Sequence, residues 1–143
     1  MTVASILTQK GREVATIAAE VSIADAVAEL AARKIGALVI VDPQIRVKGI
    51  ISERDVVRAI GQRGPEILGD PVASIMTREV ISCSESETIN QVMTRMTDGR
   101  FRHLPVVTEG RLAGIISIGD VVKARIEEVE REAEEMRTYI GTA

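Results

Sequence analysis

Val3-Ala4-Ser5-Ile6-Leu7-Thr8 returns 69 residues later as Val72-Ala73-Ser74-Ile75-Met76-Thr77, with one conservative change. Arg12-Glu13-Val14 returns as Arg78-Glu79-Val80, and Gly49-Ile50-Ile51-Ser52-Glu53-Arg54-Asp55-Val56-Val57 returns as Gly114-Ile115-Ile116-Ser117-Ile118-Gly119-Asp120-Val121-Val122. Three blocks in one order mark a duplication, and the drift in offset leaves the first copy with three extra residues near Gln9-Lys10-Gly11. The fold must therefore be built from two like units.

Each copy carries the same periodicity. Val14 to Ile17 is a short β-prone piece. Ser22 followed by Asp25 signals the cap of a helix whose apolar residues Ile23, Val27, Leu30 and Ala31 share one face, as Ile89, Met93 and Met96 do in the second copy. Two apolar runs follow, Ala37 to Val41 and Val47 to Ile51, separated by a turn at Asp42-Pro43. Their counterparts are Leu104 to Val107 and Leu112 to Ile116, with the turn near Glu109-Gly110. A closing helix starts near Ser52 and near Ser117. The repeat is β-α-β-β-α made twice, an α+β fold in which the copies pack with approximate twofold symmetry. A unit of about 55 residues buries too little surface to be comfortable alone.

The expected organisation is a first repeat over 1–63, a linker over 64–71 set within the Gly- and Pro-rich stretch Gly61 to Pro71, a second repeat over 72–126 and a helical tail over 127–143. In that last helix Val122, Ile126, Val129, Ala133, Met136 and Ile140 step by alternating fours and threes among Glu and Arg. This narrow seam favours a partner helix, most simply from a second copy of the chain, and the alternative is a helix lying back on its own domain.

At 143 residues, with 18 basic against 21 acidic side chains, the chain is too short for a large multidomain enzyme and has no general pull toward a nucleic-acid backbone. Phe101 and Tyr139 are the only aromatic residues, so base stacking on aromatics is not available and a flat ring must be gripped mainly by aliphatic side chains. A single cysteine, Cys83, cannot form an internal disulfide, and with the lone His103 it cannot complete a zinc site without carboxylates or a second subunit. The first ten residues lack a basic region followed by an apolar stretch, and the longest apolar run, Ile35 to Val41, is far too short to span a membrane. These features predict a soluble, cytoplasmic protein.

The tandem unit, with Gly-Ile-Ile-Ser-x-x-Asp-Val-Val closing each copy and Arg102-His103-Leu104-Pro105-Val106-Val107 entering the second strand pair, resembles a cystathionine β-synthase (CBS) domain pair from Val3 to about Ile126. The resemblance implies a regulatory module with clefts between the repeats and adenosine-containing ligands: AMP, ATP, NAD or S-adenosylmethionine. It also implies ribose binding by Asp55 and Asp120 and ribose or phosphate contacts by Ser52 and Ser117. The residues themselves are compatible with those roles. A Ser at a helix start presents a hydroxyl and free N–H groups, and a carboxylate one turn on can accept from vicinal hydroxyls. The same spacing is close to a capping box, and capping and binding are not exclusive.

Other candidates follow from position. Thr16-Ile17 and Ser82-Cys83 fall after the first strand of each copy, where the family lines its adenine pocket; plain packing is the alternative. Gly36-Ala37 leave room for a flat ring or for contact between repeats. Arg100, Arg102 and His103 form a basic cluster suited to phosphates or a solvated basic edge. Arg54 and Lys10 are further phosphate candidates. The copies differ where the ligands would sit, so the two clefts are expected to be unequal.

No nucleophile elbow, phosphate-binding Gly-rich loop with Lys, or paired His-acid metal motif is present, which argues against an enzyme. The reading is a homodimeric nucleotide sensor acting on a separate protein target, with a ligand-free scaffold working through its terminal helix as the alternative.

Overall fold

The structure, a computed structural model, describes residues 1–142; Ala143, the end of the expected tail, lies outside the described residues. In chain order the elements are α1 (Val3–Lys10), β1 (Thr16–Ile17), α2 (Ile23–Arg33), β2 (Ala37–Val41), β3 (Val47–Ser52), α3 (Glu53–Arg63), α4 (Ile89–Gly99), β4 (His103–Thr108), β5 (Arg111–Ser117) and α5 (Ile118–Thr142). Short 3-10 turns at Pro65–Gly69 and Val72–Ser74 join the halves.

In the first repeat β1 runs parallel to β2, and β2 runs antiparallel to β3. The second repeat has the antiparallel pair β4-β5, but its expected leading strand shrinks to one parallel bridge between Cys83 and Val106. Pro105 explains the loss. In the first repeat the Val39 N–H donates to the Ala15 carbonyl, whereas Pro105, at the equivalent place, has no N–H to give. Ser82, the counterpart of Thr16, is thereby left out of strand pairing.

The cap at Ser22 forms as the sequence indicates, and the second repeat has one as well. The Ser22 hydroxyl accepts from the Asp25 N–H at 3.1 Å, and Thr88 does the same for Gln91 at 3.1 Å. The stretch between the repeats is not slack, because α3 runs to Arg63 and Ile67 is buried in the first core.

The helix α1 is the element that periodicity did not reveal, and it crosses over. Val3, Ile6 and Leu7 are buried with Ile89, Met96, Leu104, Ile116 and Val121, which belong to the second repeat. Reciprocally, Val72 is buried in the first repeat's core, with Ile75 and Met76 packed against it. Matching bridges, Thr2 to Thr88 and Ser22 to Pro71, fix the two crossings. The motif glycines make room for them: a Cβ on Gly114 would come within 2.7 Å of Leu7, and one on Gly49 within 2.6 Å of Met76. Each repeat's core is thus completed by the segment that leads into the other.

The helix α5 spans 25 residues, about 37 Å of rise. Val121 and Ala124 face the second core, while Val122, Ile126, Val129, Met136 and Ile140 are all exposed. The tail therefore does not lie back on its own domain.

Candidate functional site

Ser52 ends β3 with extended backbone and caps α3. Its hydroxyl accepts from the Asp55 N–H at 3.3 Å, while Asp55 Oδ2 accepts from the Ser52 N–H at 2.9 Å and from its hydroxyl at 3.1 Å. The Ser117 and Asp120 pair repeats this at the start of α5, with the Ser117 N–H 2.8 Å from Asp120 Oδ2 and the Asp120 N–H 3.2 Å from Ser117 Oγ. Capping is real in both copies. It occupies Oδ2 of Asp55, while Oδ1 lies 4.0 Å from Arg58 Nη1.

Asp55 also borders a cavity of about 430 Å³ formed between the repeats. The first repeat supplies Gly36, Ile50, Ser52, Glu53, Arg54 and Arg58 to its wall, and the second supplies Arg100, Arg102, His103 and an apolar side of Val80, Ile81, Phe101 and Pro105. The volume falls in the range of small-molecule sites. Its form suits a ligand with an apolar ring, hydroxyls and an anionic end. Ile50, Val80 and Ile81 can grip the ring, Asp55 can accept from hydroxyls, and four arginines outnumber the carboxylates of Glu53, Asp55 and Glu79.

Of the residues singled out in the sequence, Ser52, Arg54, Asp55, Gly36, Arg100, Arg102 and His103 line this cavity. Ala37 does not; it is buried in β2 opposite Ser52. Thr16, Ile17, Ser82 and Cys83 do not line this cavity. Thr16 and Ile17 are used in pairing β1 with β2, Ile17 packs on the first core, and the Ser82 carbonyl accepts from Arg95. Cys83 is buried in the second core, where burial and then the charge of Glu87 push its thiol up to about 12. Val80 and Ile81, just ahead of Ser82, line the wall instead. Phe101, Arg58, Glu53, Thr77 and Glu79 were also missed. Phe101 stood inside the basic cluster, where a lone aromatic between two arginines was a usable clue.

Ser117, Asp120 and Lys10 lie apart from this cavity, at the position related to Ser52 and Asp55 by the repeat. Lys10 Nζ approaches Asp120 Oδ2 at 2.6 Å and donates to the Ile115 carbonyl at 3.0 Å. Partial burial works against ionisation of Asp120, but the hydrogen bonds from Lys10 and Ser117 outweigh it and hold the carboxyl below its ordinary value. His103 is paired in the sheet with Ser117 and lines the Asp55 cavity. Burial lowers its pKa; Glu53 and Asp120 pull the other way, while Lys10 and Arg102 add to the lowering.

Among the described residues no cluster of three His, Cys, Asp or Glu side chains is placed to hold a metal, and no helix is long and apolar enough to cross a membrane.

Comparison with known proteins places this architecture. The chain is similar to a CBS-domain containing protein of Agrobacterium tumefaciens, at 50% identity over 87% of this chain and 99% of that one, with a TM-score of 0.85. It is similar to the CBS domain pair of protein MJ0100 in complex with 5′-methylthioadenosine and S-adenosyl-L-methionine, at 28% identity, TM-score 0.79, 90% of this chain and 98% of that one. A CBS domain protein of Pyrobaculum aerophilum complexed with AMP matches at 26% identity, TM-score 0.75, 84% of this chain and 89% of that one. Three curated relatives match at 38% identity, and the chain spans 58%, 64% and 35% of their lengths. The CBS domain profile matches twice, over residues 3–62 and 72–127. With both repeats matched and the tandem fold shared, the chain belongs to the CBS domain family.

Proposed function

We propose that this chain is a regulatory sensor that binds an adenosine-containing nucleotide in the Asp55 cavity and passes the bound state to a separate protein, without turning the ligand over. The observation that carries this reading is the convergence on one cavity of a ribose-competent carboxylate from the first repeat and three basic-cluster residues, Arg100, Arg102 and His103, from the second. The solved CBS pairs that hold AMP or S-adenosylmethionine support the ligand class. AMP, ATP, NAD and S-adenosylmethionine are the candidates. The arginine excess favours those with phosphates.

Thermal shift against the four compounds tests the reading. A ligand at about 100 times its dissociation constant stabilises by roughly 2.7 kcal/mol. A shift with at least one compound, and its recovery intact by chromatography, is the expected result. No shift with any of them, or conversion to product above a buffer control, overturns it.

The exposed seam on α5 favours a second reading, a scaffold that works through a helix pair. A homodimer is compatible with both readings, and the thermal shift distinguishes them.

A further inference from the structure

The apolar seam of α5 is flanked by charges that distinguish one direction of pairing from the other. Val122, Val129 and Met136 take the d positions of its heptads, and Ile126, Ala133 and Ile140 take the a positions. Val121 and Ala124 turn inward to the second core, so the seam points away from its own repeat, and Val122, Ile126 and Val129 stay 45 to 53% exposed. The groove at the start of the seam is lined by α5 residues alone, among them Ile118, Gly119, Val122 and Ile126.

The positions beside such a seam, e and g, decide how two helices pair. Here e is held by Lys123, Glu130 and Arg137, and g by Arg125 and Glu132. In a parallel pair each g residue meets the e residue five positions on in the other helix. Arg125 then faces Glu130 of the second copy, Glu132 faces Arg137, and symmetry doubles both attractions. In an antiparallel pair that uses the whole seam, e meets e and g meets g. Glu130 then faces Glu130, Glu132 faces Glu132 and Lys123 faces Arg137, all like charges. Sliding the antiparallel pair by one heptad removes the repulsion only by leaving two of the six seam residues of each chain without a partner. Ion pairs within the helix do not use up the arginines. Arg125 reaches Glu128 at 2.5 Å and Arg137 reaches Glu134 at 3.4 Å, each through one guanidinium nitrogen, and both keep further donors. Glu130 and Glu132 are exposed.

We propose that α5 pairs with α5 of a second copy in parallel and in register, held in that direction by Arg125–Glu130 and Glu132–Arg137 ion pairs between the chains. This rests on the homodimer reading and adds its direction. Both sets of repeats then lie at one end of the helix pair, on its opposite sides, and the helix ends near Ile140 emerge together as a two-stranded stem.

Sedimentation at micromolar concentration and thiol crosslinking of the full chain test the direction. Wild type is expected to dimerise. Glu132→Arg and Arg137→Glu should each weaken the dimer at least fivefold, and the two combined should restore it to within twofold of wild type. An antiparallel pair using the whole seam would respond to Arg137→Glu with the opposite sign, because Lys123 would gain an attractive partner. Ile140→Cys should crosslink to its own copy under oxidised glutathione, while wild type, with only the buried Cys83, stays uncrosslinked. In the antiparallel pairings the two copies of position 140 lie at least about 16 Å apart along the axis, too far for a disulfide. An Arg137→Glu dimer as tight as wild type or tighter, no recovery in the double variant, or an uncrosslinked Ile140→Cys overturns the parallel arrangement and leaves the homodimer standing. A monomeric wild type overturns both, and neither result bears on nucleotide binding at Asp55.

Discussion

Gly36 stands so close to His103 that a Cβ on Gly36 would come within 3.1 Å of the imidazole Cε1. Gly36 immediately precedes β2 and His103 begins β4, and the Gly36 carbonyl also accepts the Glu53 N–H at the start of α3. A small residue at the start of one strand pair makes space for the only imidazole, at the start of the other.

Filling that space should be costly. Gly36→Val is expected to lower stability by about 1 to 3 kcal/mol, the usual range for overpacking. Most of this should return in Gly36→Val/His103→Ala, where the obstructing ring is gone. A denaturation series on the four proteins of the double-mutant cycle checks it, and additive losses would show that the contact is not the cause.

The imidazole also sets a pH dependence. Burial, offset in part by Glu53, holds the His103 pKa below 6.5, so the unfolded chain takes up the proton more readily than the native one. The neutral ring's contribution to stability is full above about 6.5 and is lost as the pH falls through the lower native value. Denaturation midpoints should decline over that window in wild type more than in His103→Gln. A phosphate beside the ring favours the imidazolium, so AMP affinity is expected to rise as the pH falls below 6.5, again less in the variant.

Asp55 serves a cap and, in the proposed function, a ligand. Asp55→Ala should weaken AMP or ATP binding roughly tenfold to a hundredfold, the loss of hydrogen bonds to a charged acceptor. It should also cost about 0.5 to 2 kcal/mol of stability by removing the acceptor of the Ser52 N–H. Titration and melting on the same preparation separate the two losses. A stability loss with unchanged affinity would confine Asp55 to capping.

The tail yields a fourth expectation. The exposed residues Val129, Met136 and Ile140 continue the apolar line of Val122 and Ile126 beyond the repeats. Wild type is expected to be a dimer by light scattering at micromolar concentration. Truncation after Glu127, or Met136→Glu with Ile140→Glu, should raise the dimer dissociation constant by at least tenfold. A monomeric wild type would dispose of the idea.

Much of this was legible in the residues because it is local. The alternation of apolar runs with Asp42-Pro43 and Glu109-Gly110 located both hairpins to within a residue or two, and the spacing of Ser52 to Asp55 located a cap. What periodicity could not reveal was partnership. Val3 to Leu7 reads as a short apolar piece, and nothing in its own pattern says that its core lies beyond residue 82. Nor does the local pattern show that Gly49 and Gly114 make room for Met76 and Leu7. The cavity wall is non-local in the same way: Val80 and Ile81 meet Phe101 and Pro105 there, some twenty positions further along the chain.

The crossed leading segments bear on how the chain is made. As it leaves the ribosome, α1 appears first, yet its place is among residues of the second repeat. The first repeat, in turn, is not complete until Val72 has been added. Neither half is a finished folding unit on its own, and the contacts that close both cores join residues far apart in sequence, which slows folding and ties it to late synthesis. Halves cut between Asp70 and Pro71 would each carry the closing segment that belongs to the other, so they should acquire native structure only when mixed.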